Sequence, residues 1–474
     1  MTRMTRVLMT LTAAALALTS QEVSERDRKA MAALEAARQV AGERIWPGFD
    51  PGRYAYALSD PEAGAYLIGF SAPPPGASGV EVDILAPPVY FLRDSRELSA
   101  NTATEVAGRA TAVLQIKELA GDASAALALV VHEAFHAFQS DPRRAGPAWR
   151  RENSALVAEY PETSARNDAL LRVEGRLLFD ALRTADPVTL RQAAREFAAV
   201  RRLRQGELGA RFAEFEQGVE MNEGLAEYAG IQAVLLGGGQ SARAYPLRPL
   251  GGLQSLAAAG RNARLRFYLT GCAQALLLDR LLPDWKRRAQ LDGAALQDLL
   301  ARAGGEGRLL EAVLRERGFT ALLKEEAEAG ARKRADREEA WAAALARPGR
   351  RYVIDFTAAG QMGRKQSYDP MNITVVDERR RIHTRMLRLG DGASYRAEFD
   401  RAALEDLGRL QYITVLDPGG DRIAVDGESL DPARPAARRF GQLVVTAPGF
   451  RLEASGSLTV GAGEVWIRPG DGRK

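Results

Sequence analysis

Apolar positions recur along this chain at two periods, and the switches between them divide it into regions. Across residues 24–44, Met31, Leu34 and Val40 stand at helical spacing with charged residues between them. The stretch "WPGFDPG" (46–52) breaks that helix with two prolines and two glycines. Two runs of strand character follow, "AYLIGF" (65–70) and "VEVDILAPPVYFL" (80–92), separated by the turn-rich "SAPPPGASG". They predict a hairpin at the edge of a small N-terminal antiparallel sheet. From about 102 to 347 alanine, leucine, arginine and glutamate dominate at spacings of three and four, which predicts helices throughout. Within this region "NDALLRVEGRLLFDALRT" and "PVTLRQAAREFAAVRRLRQ" read as a helical hairpin over about 165–205, with "ADP" as its turn. After about 350 the period falls to two. Short alternating runs such as "RYVIDF", "QYITVLD" and "QLVVTA", divided by Gly, Pro and Asp, predict an all-β domain, sandwich-like or a small barrel.

The expected fold class is therefore α+β. A mainly helical domain over 21–349 carries the small sheet and the inserted hairpin, and a β-rich domain covers 350–474. The first residues stand apart. "MTRMTRVLMTLTAAALALTS" opens with two arginines, continues through an apolar run from Val7 to Leu18 and ends in small residues. That order predicts a signal peptide over 1–20 and a secreted or periplasmic protein; a buried N-terminal helix or a membrane anchor is the alternative. No later segment is apolar enough to span a bilayer, so no stable membrane span is expected in the mature chain.

Composition changes the picture little. With 65 basic and 61 acidic side chains the net charge is +4, too small an excess for a nucleic-acid-binding surface. Cys272 is the only cysteine, so no intrachain disulfide can form. The basic clusters "RRAGPAWRR" (143–151) and "RRLRQ" (201–205) read as solvated faces, although a guanidinium near a cleft could hold a substrate carboxylate.

Histidine usage is more informative. The chain has three histidines, and two lie four residues apart in the apolar run "ALVVHEAFHAFQ" (128–139). His132, Glu133 and His136 form H-E-x-x-H. On a helix both imidazoles rise from one face and can share a metal ion, with Glu133 beside them as a general base. Two neutral imidazoles and an open position favour Zn2+. The alternative is a core helix with two satisfied histidines, which needs several buried hydrogen-bond partners. No further histidine follows in "AFQSDPRRAGP", so a carboxylate must complete the site. His383, in "RIHTRM", is expected on a strand face.

The segment "EMNEGLAEYAG" (220–230) resembles the N-E-G-x-A-x-Y pattern of gluzincin metallopeptidases of the aminopeptidase N family, matched by Asn222, Glu223, Gly224, Ala226 and Tyr228. The resemblance implies a thermolysin-like zincin domain, with Glu223 as third zinc ligand and Glu227 orienting a zinc histidine from behind. "FYLTGCAQALLLDRL" (267–281) is similar to the family's Y-x-x-G segment, which implies that Tyr268 stabilises the oxyanion, with Gly271 matching the glycine; such a tyrosine is as readily a packing residue. The chain departs from the pattern in two ways. Glu223 follows His136 by 87 residues, far more than the family's usual spacing, so Glu174 in "RVEGRLL" is the alternative ligand. The G-x-M-x-N segment that holds a free amino terminus is not recognisable, so exopeptidase specificity is not implied. The expected activity is zinc-dependent hydrolysis of a peptide or protein substrate. A zinc hydrolase of another substrate and a non-catalytic binding or assembly protein remain the alternatives.

Overall fold

A computed structural model describes residues 23–141, 149, 152–238, 242, 244–246, 250–256, 263–304, 307–417, 419–461 and 463–470. The expected signal peptide (1–20) and most of the 143–151 basic cluster lie outside the described residues. The chain forms two compact units, one from Met1–Arg150, Glu220–Gly252 and Tyr268–Ala303, the other from Arg151–Val219, Leu253–Phe267 and Gly304–Lys474.

The first unit is built on six strands: β1 (Ala55–Asp60), β2 (Gly64–Ile68), β3 (Ala77–Val80), β4 (Val89–Leu92), β5 (Thr102–Val106) and β6 (Arg109–Gln115). Their order is β3-β4-β2-β1-β6-β5. The sheet is mixed, not purely antiparallel as expected, because β6 enters beside β1 in parallel, with Ala55 opposite Thr111. The "AYLIGF" and "PPVYFL" runs do pair, as β2 and β4, but "ASGV" from the presumed turn adds β3 as a further edge strand. Helix was also expected from residue 102, and Thr102–Gln115 instead makes the β5–β6 hairpin. Its turn, Ala107-Gly108, has positive φ at both residues (49° and 75°), the geometry that lets two antiparallel strands follow each other directly.

The strand β6 runs through a short helical turn, Ile116–Leu119, into the helix Ala123–Ser140, which packs against β5 and β6. Asp122 caps this helix by accepting from the Ala125 amide at 2.9 Å. Behind it Phe135 and Phe138 sit in an aromatic cluster with Trp46, Phe49 and Trp149, at centroid distances of 5.2 to 5.7 Å. Burial of these two rings fixes the helix's rotation, and with it the direction in which His132 and His136 project.

In the second unit the helices Ala165–Arg183 and Pro187–Leu208 form a hairpin whose turn is held by Asp186, accepting from the Val188 and Thr189 amides. The cluster "RRLRQ" on the second helix is a solvated face only at Arg202. Arg201 and Arg204 are buried against Glu174 of the first helix, and Arg204 also clasps Glu216. The strands from Arg350 onward do not divide into two facing sheets. They make one curled 13-stranded sheet around an apolar core that includes Tyr352, Phe399, Leu452 and Ile467, and a second cluster joins Val353, Ile382, Leu404 and Ile413 with Trp341. The cause is the long strand Phe450–Gly461. Its first half pairs with Tyr395–Phe399 and its second half with Glu464–Pro469, so the sheet branches along one strand. At the branch, Gly456 has a φ of 150°, and a Cβ there would meet the Arg468 carbonyl at 2.0 Å.

Candidate metal centre

Three stretches of the first unit converge on the two histidines. The helix Ala123–Ser140 supplies His132, Glu133 and His136. A π-helical turn, Glu220–Gly224, carries Glu223 and leads into the helix Leu225–Gly237, which carries Glu227. The helix Ala263–Leu281 brings Tyr268. A π-turn widens the helix by one residue and reorients the side chains at its exit, a device frequent at functional sites.

Glycine sets how closely these helices approach. A Cβ on Gly224 would lie 2.6 Å from the Gly271 Cα, and one on Gly271 would lie 2.8 Å from the Glu220 carbonyl oxygen. Beside this crossing the Thr270 hydroxyl donates to Glu220 at 2.5 Å. Gly230 meets the helix of the histidines in the same way, since a Cβ there would reach the Ala128 carbonyl oxygen at 2.6 Å. The glycine of N-E-G and that of Y-x-x-G are thus the two surfaces of one helix crossing.

The resulting donor set is compact. The Nε2 atoms of His132 and His136 are 3.1 Å apart, and Glu223 Oε2 lies 3.1 Å from His136 Nε2 and 3.4 Å from His132 Nε2. Tetrahedral zinc with bonds of 2.0–2.1 Å separates its ligand atoms by about 3.3 Å. Two imidazole nitrogens and a carboxylate oxygen at these separations fit the ligand spacing of one such metal ion. Among the described residues these three form the group of His, Cys, Asp and Glu side chains able to hold a metal. Glu174, the alternative ligand, is committed in the second unit, where Arg201 Nε and Arg204 Nε donate to it at 2.7 and 2.6 Å. His383 is also in the second unit, 2.9 Å from Glu405.

Electrostatics at the three side chains favour a cation. Burial works against the charged form of His132, yet Glu223 and Glu227 outweigh it and lift its pKa to about 10. Burial likewise opposes charge on His136, and Glu223 again raises it above the ordinary range. Carboxylates that attract a proton to these nitrogens attract a divalent metal ion to the same place. Burial raises the Glu133 carboxyl above its usual range, the two histidines drawing it back in part. Its Oε2 is buried without a hydrogen-bond partner among the described residues. Such an atom is costly to keep unless something else binds there.

Around the donors, Glu227 Oε2 stands 3.5 Å from His132 Nδ1, the side of the ring turned away from Glu223. The Tyr268 ring lies nearly parallel to that of His132, at 17° and 6.1 Å between centroids. Tyr228 has a different part: its hydroxyl donates to Asp279 at 2.7 Å, and Asp279 also accepts from the Trp285 indole. That tyrosine anchors the Glu223 helix to the Tyr268 helix, and burial raises its pKa far above the usual phenol value.

Sequence reasoning missed one side chain. Gln139, three residues after His136, is buried and touches both His136 and the turn that carries Glu223. A glutamine at that spacing gives no signal by itself, because glutamine suits any helix position. No protein-family model, curated protein or solved structure matches this chain.

Proposed function

We propose that this chain is a zinc-dependent peptidase of the gluzincin type, acting outside the cytoplasm, with His132, His136 and Glu223 as the metal ligands. The observation that carries the reading is the set of three ligand atoms at tetrahedral separations beside a buried carboxylate oxygen that has no hydrogen-bond partner among the described residues. Zinc in such a site supplies Lewis-acid chemistry, polarising a carbonyl and lowering the pKa of water to about 7.

The protein's own groups divide the remaining work. Glu133 takes the proton from the attacking water at Oε2, and burial helps it hold that proton until the leaving amine accepts it. Glu227 and Gln139 hold the two imidazoles from behind. Tyr268, on the helix that crosses at Gly271, donates a hydrogen bond to the carbonyl oxygen as negative charge builds there. A peptide is the favoured substrate because β5 is an edge strand packed on the helix of the histidines, and among the described residues its outer edge has no strand beside it. An extended peptide can add to such an edge through its backbone.

The variant Glu133→Gln separates binding from chemistry. It should keep stoichiometric zinc and lose at least about 100-fold in peptide hydrolysis, the scale of a lost general base. The measurement is cleavage of a peptide library by metal-analysed protein, with a chelator control. A variant that cleaves at the parental rate would sink the mechanism. Zinc content without cleavage of any peptide by the parent would favour the non-peptide alternatives.

A further inference from the structure

We propose that Gln139 is a positioning residue that couples His136 to the turn carrying Glu223, fixing in one side chain the tautomer of the second ligand and the place of the third. The proposal rests on the reading that His132, His136 and Glu223 hold a metal ion.

Gln139 is 4 % exposed and makes three contacts. Its Oε1 lies 2.8 Å from His136 Nδ1, and its Nε2 donates to the carbonyls of Met221 and Asn222 at 3.1 and 3.0 Å. Both of those carbonyls belong to the π-turn and immediately precede Glu223. The amide has one possible orientation here, since a flipped group would set its oxygen against two carbonyl oxygens. The oxygen therefore faces His136, and because an amide oxygen only accepts, Nδ1 must carry the proton. In a neutral ring that leaves the lone pair on Nε2, the atom turned toward Glu223 and His132.

His132 is treated differently. Glu227 faces its Nδ1 at 3.5 Å, from the helix that follows the turn carrying Glu223. Gln139 reaches from the helix of the histidines to the backbone that presents the carboxylate, across an interval of more than 80 residues. The spacing between the nitrogen of His136 and the oxygen of Glu223 is thus tied to one side chain that can touch neither the metal nor the substrate.

The test uses the full chain and zinc alone as the probe. Gln139→Met keeps the length of the side chain and removes all three polar contacts. Zinc affinity, from competition with a chromophoric chelator, should fall by roughly 10- to 100-fold, the usual effect of losing such an outer partner. The melting temperature of the metal-free protein should change far less than that of the zinc-loaded protein. With three histidines in the chain, nitrogen NMR of histidine-labelled protein can also assign each ring. The parent should show a proton on His136 Nδ1; Gln139→Glu, which keeps an acceptor for His136 but sets an oxygen against the Met221 and Asn222 carbonyls, should keep that proton and still lose zinc affinity. That second variant keeps the proposal open to refutation if Gln139→Met fails to fold. Undiminished zinc affinity in Gln139→Met overturns the role, as does an unprotonated Nδ1 on His136 in the parent. A parent that binds no stoichiometric zinc instead removes the metal reading beneath it.

Discussion

Glu133 and Glu174 are both buried glutamates on helices, and their neighbours give them opposite characters. Among the described residues Glu133 keeps an unpartnered oxygen beside two imidazoles, whereas Glu174 accepts from two guanidinium groups. In sequence the H-E-x-x-H motif marked Glu133, whereas Glu174 stood as an alternative to Glu223 for the third ligand, with nothing local to rule it out. The discriminating residues, Arg201 and Arg204, come from the next helix, on the face that folding turns inward. Charge alone had suggested that this face was solvated. Arg204 is the hub: it bonds Glu174, Glu216 and Asn167, and Glu216 also accepts from Tyr160 and Gln205. Arg204→Met leaves two carboxylates buried with too few cations. It should cost about 3–5 kcal/mol, the penalty of breaking rather than replacing a buried ion pair. Urea denaturation of the full chain measures this, and a loss below about 1 kcal/mol would mean that water reaches the cluster.

At the scale of elements, the site depends on how closely helices cross. H-E-x-x-H was legible because its residues share one helix, where spacing alone implies a common face. Glu223 was legible only through its resemblance to a family pattern, because 87 residues separate it from His136 and no periodicity spans that interval. Less visible still was the mutual fit of Gly224 and Gly271, since each glycine by itself reads only as a weak helix position. The β5–β6 hairpin escaped for a related reason: alanine-rich strands look helical until the Ala107-Gly108 turn is recognised as a hairpin turn. The crossing makes a prediction. In Gly271→Ala the new methyl would stand 2.8 Å from the Glu220 carbonyl oxygen and 2.9 Å from its Cα, both backbone atoms that cannot swing aside. The helices must separate, at about 1–3 kcal/mol as for other overpacked contacts. Glu223 moves with the turn, so zinc affinity should fall together with stability. Parental zinc affinity in a destabilised Gly271→Ala protein would show that the crossing does not set the ligand's position.

For the whole molecule, the change from helical to alternating periodicity near residue 350 was plain in the sequence, because one buried face writes a period of two. The closure of those strands into one sheet was not, because it depends on which partner each half of the strand Phe450–Gly461 selects. Inside that unit a second charged group is sealed. Glu405 is 1 % exposed, accepts from Lys365 and Tyr412, and lies 2.9 Å from His383 Nε2. Burial alone would raise its pKa, but His383 and Lys365 overcome that and draw it down to about 2 from an ordinary 4.5. The sign of the consequence follows from proton counting. Between these two values the unfolded chain takes up a proton that the folded chain refuses, so acid favours unfolding. The stabilisation is complete above the ordinary value, declines as the pH falls through this window, and is gone once Glu405 itself is protonated. Across the window it amounts to roughly 3 kcal/mol, about 1.4 kcal/mol for each pH unit. Glu405→Gln removes the titrating group, so its stability should start lower at neutral pH and then fall less steeply than the parent's between pH 4.5 and 2. Denaturation curves of both proteins across that range give the two slopes. Parallel slopes would mean that the carboxylate is held no more tightly in the folded chain than in water.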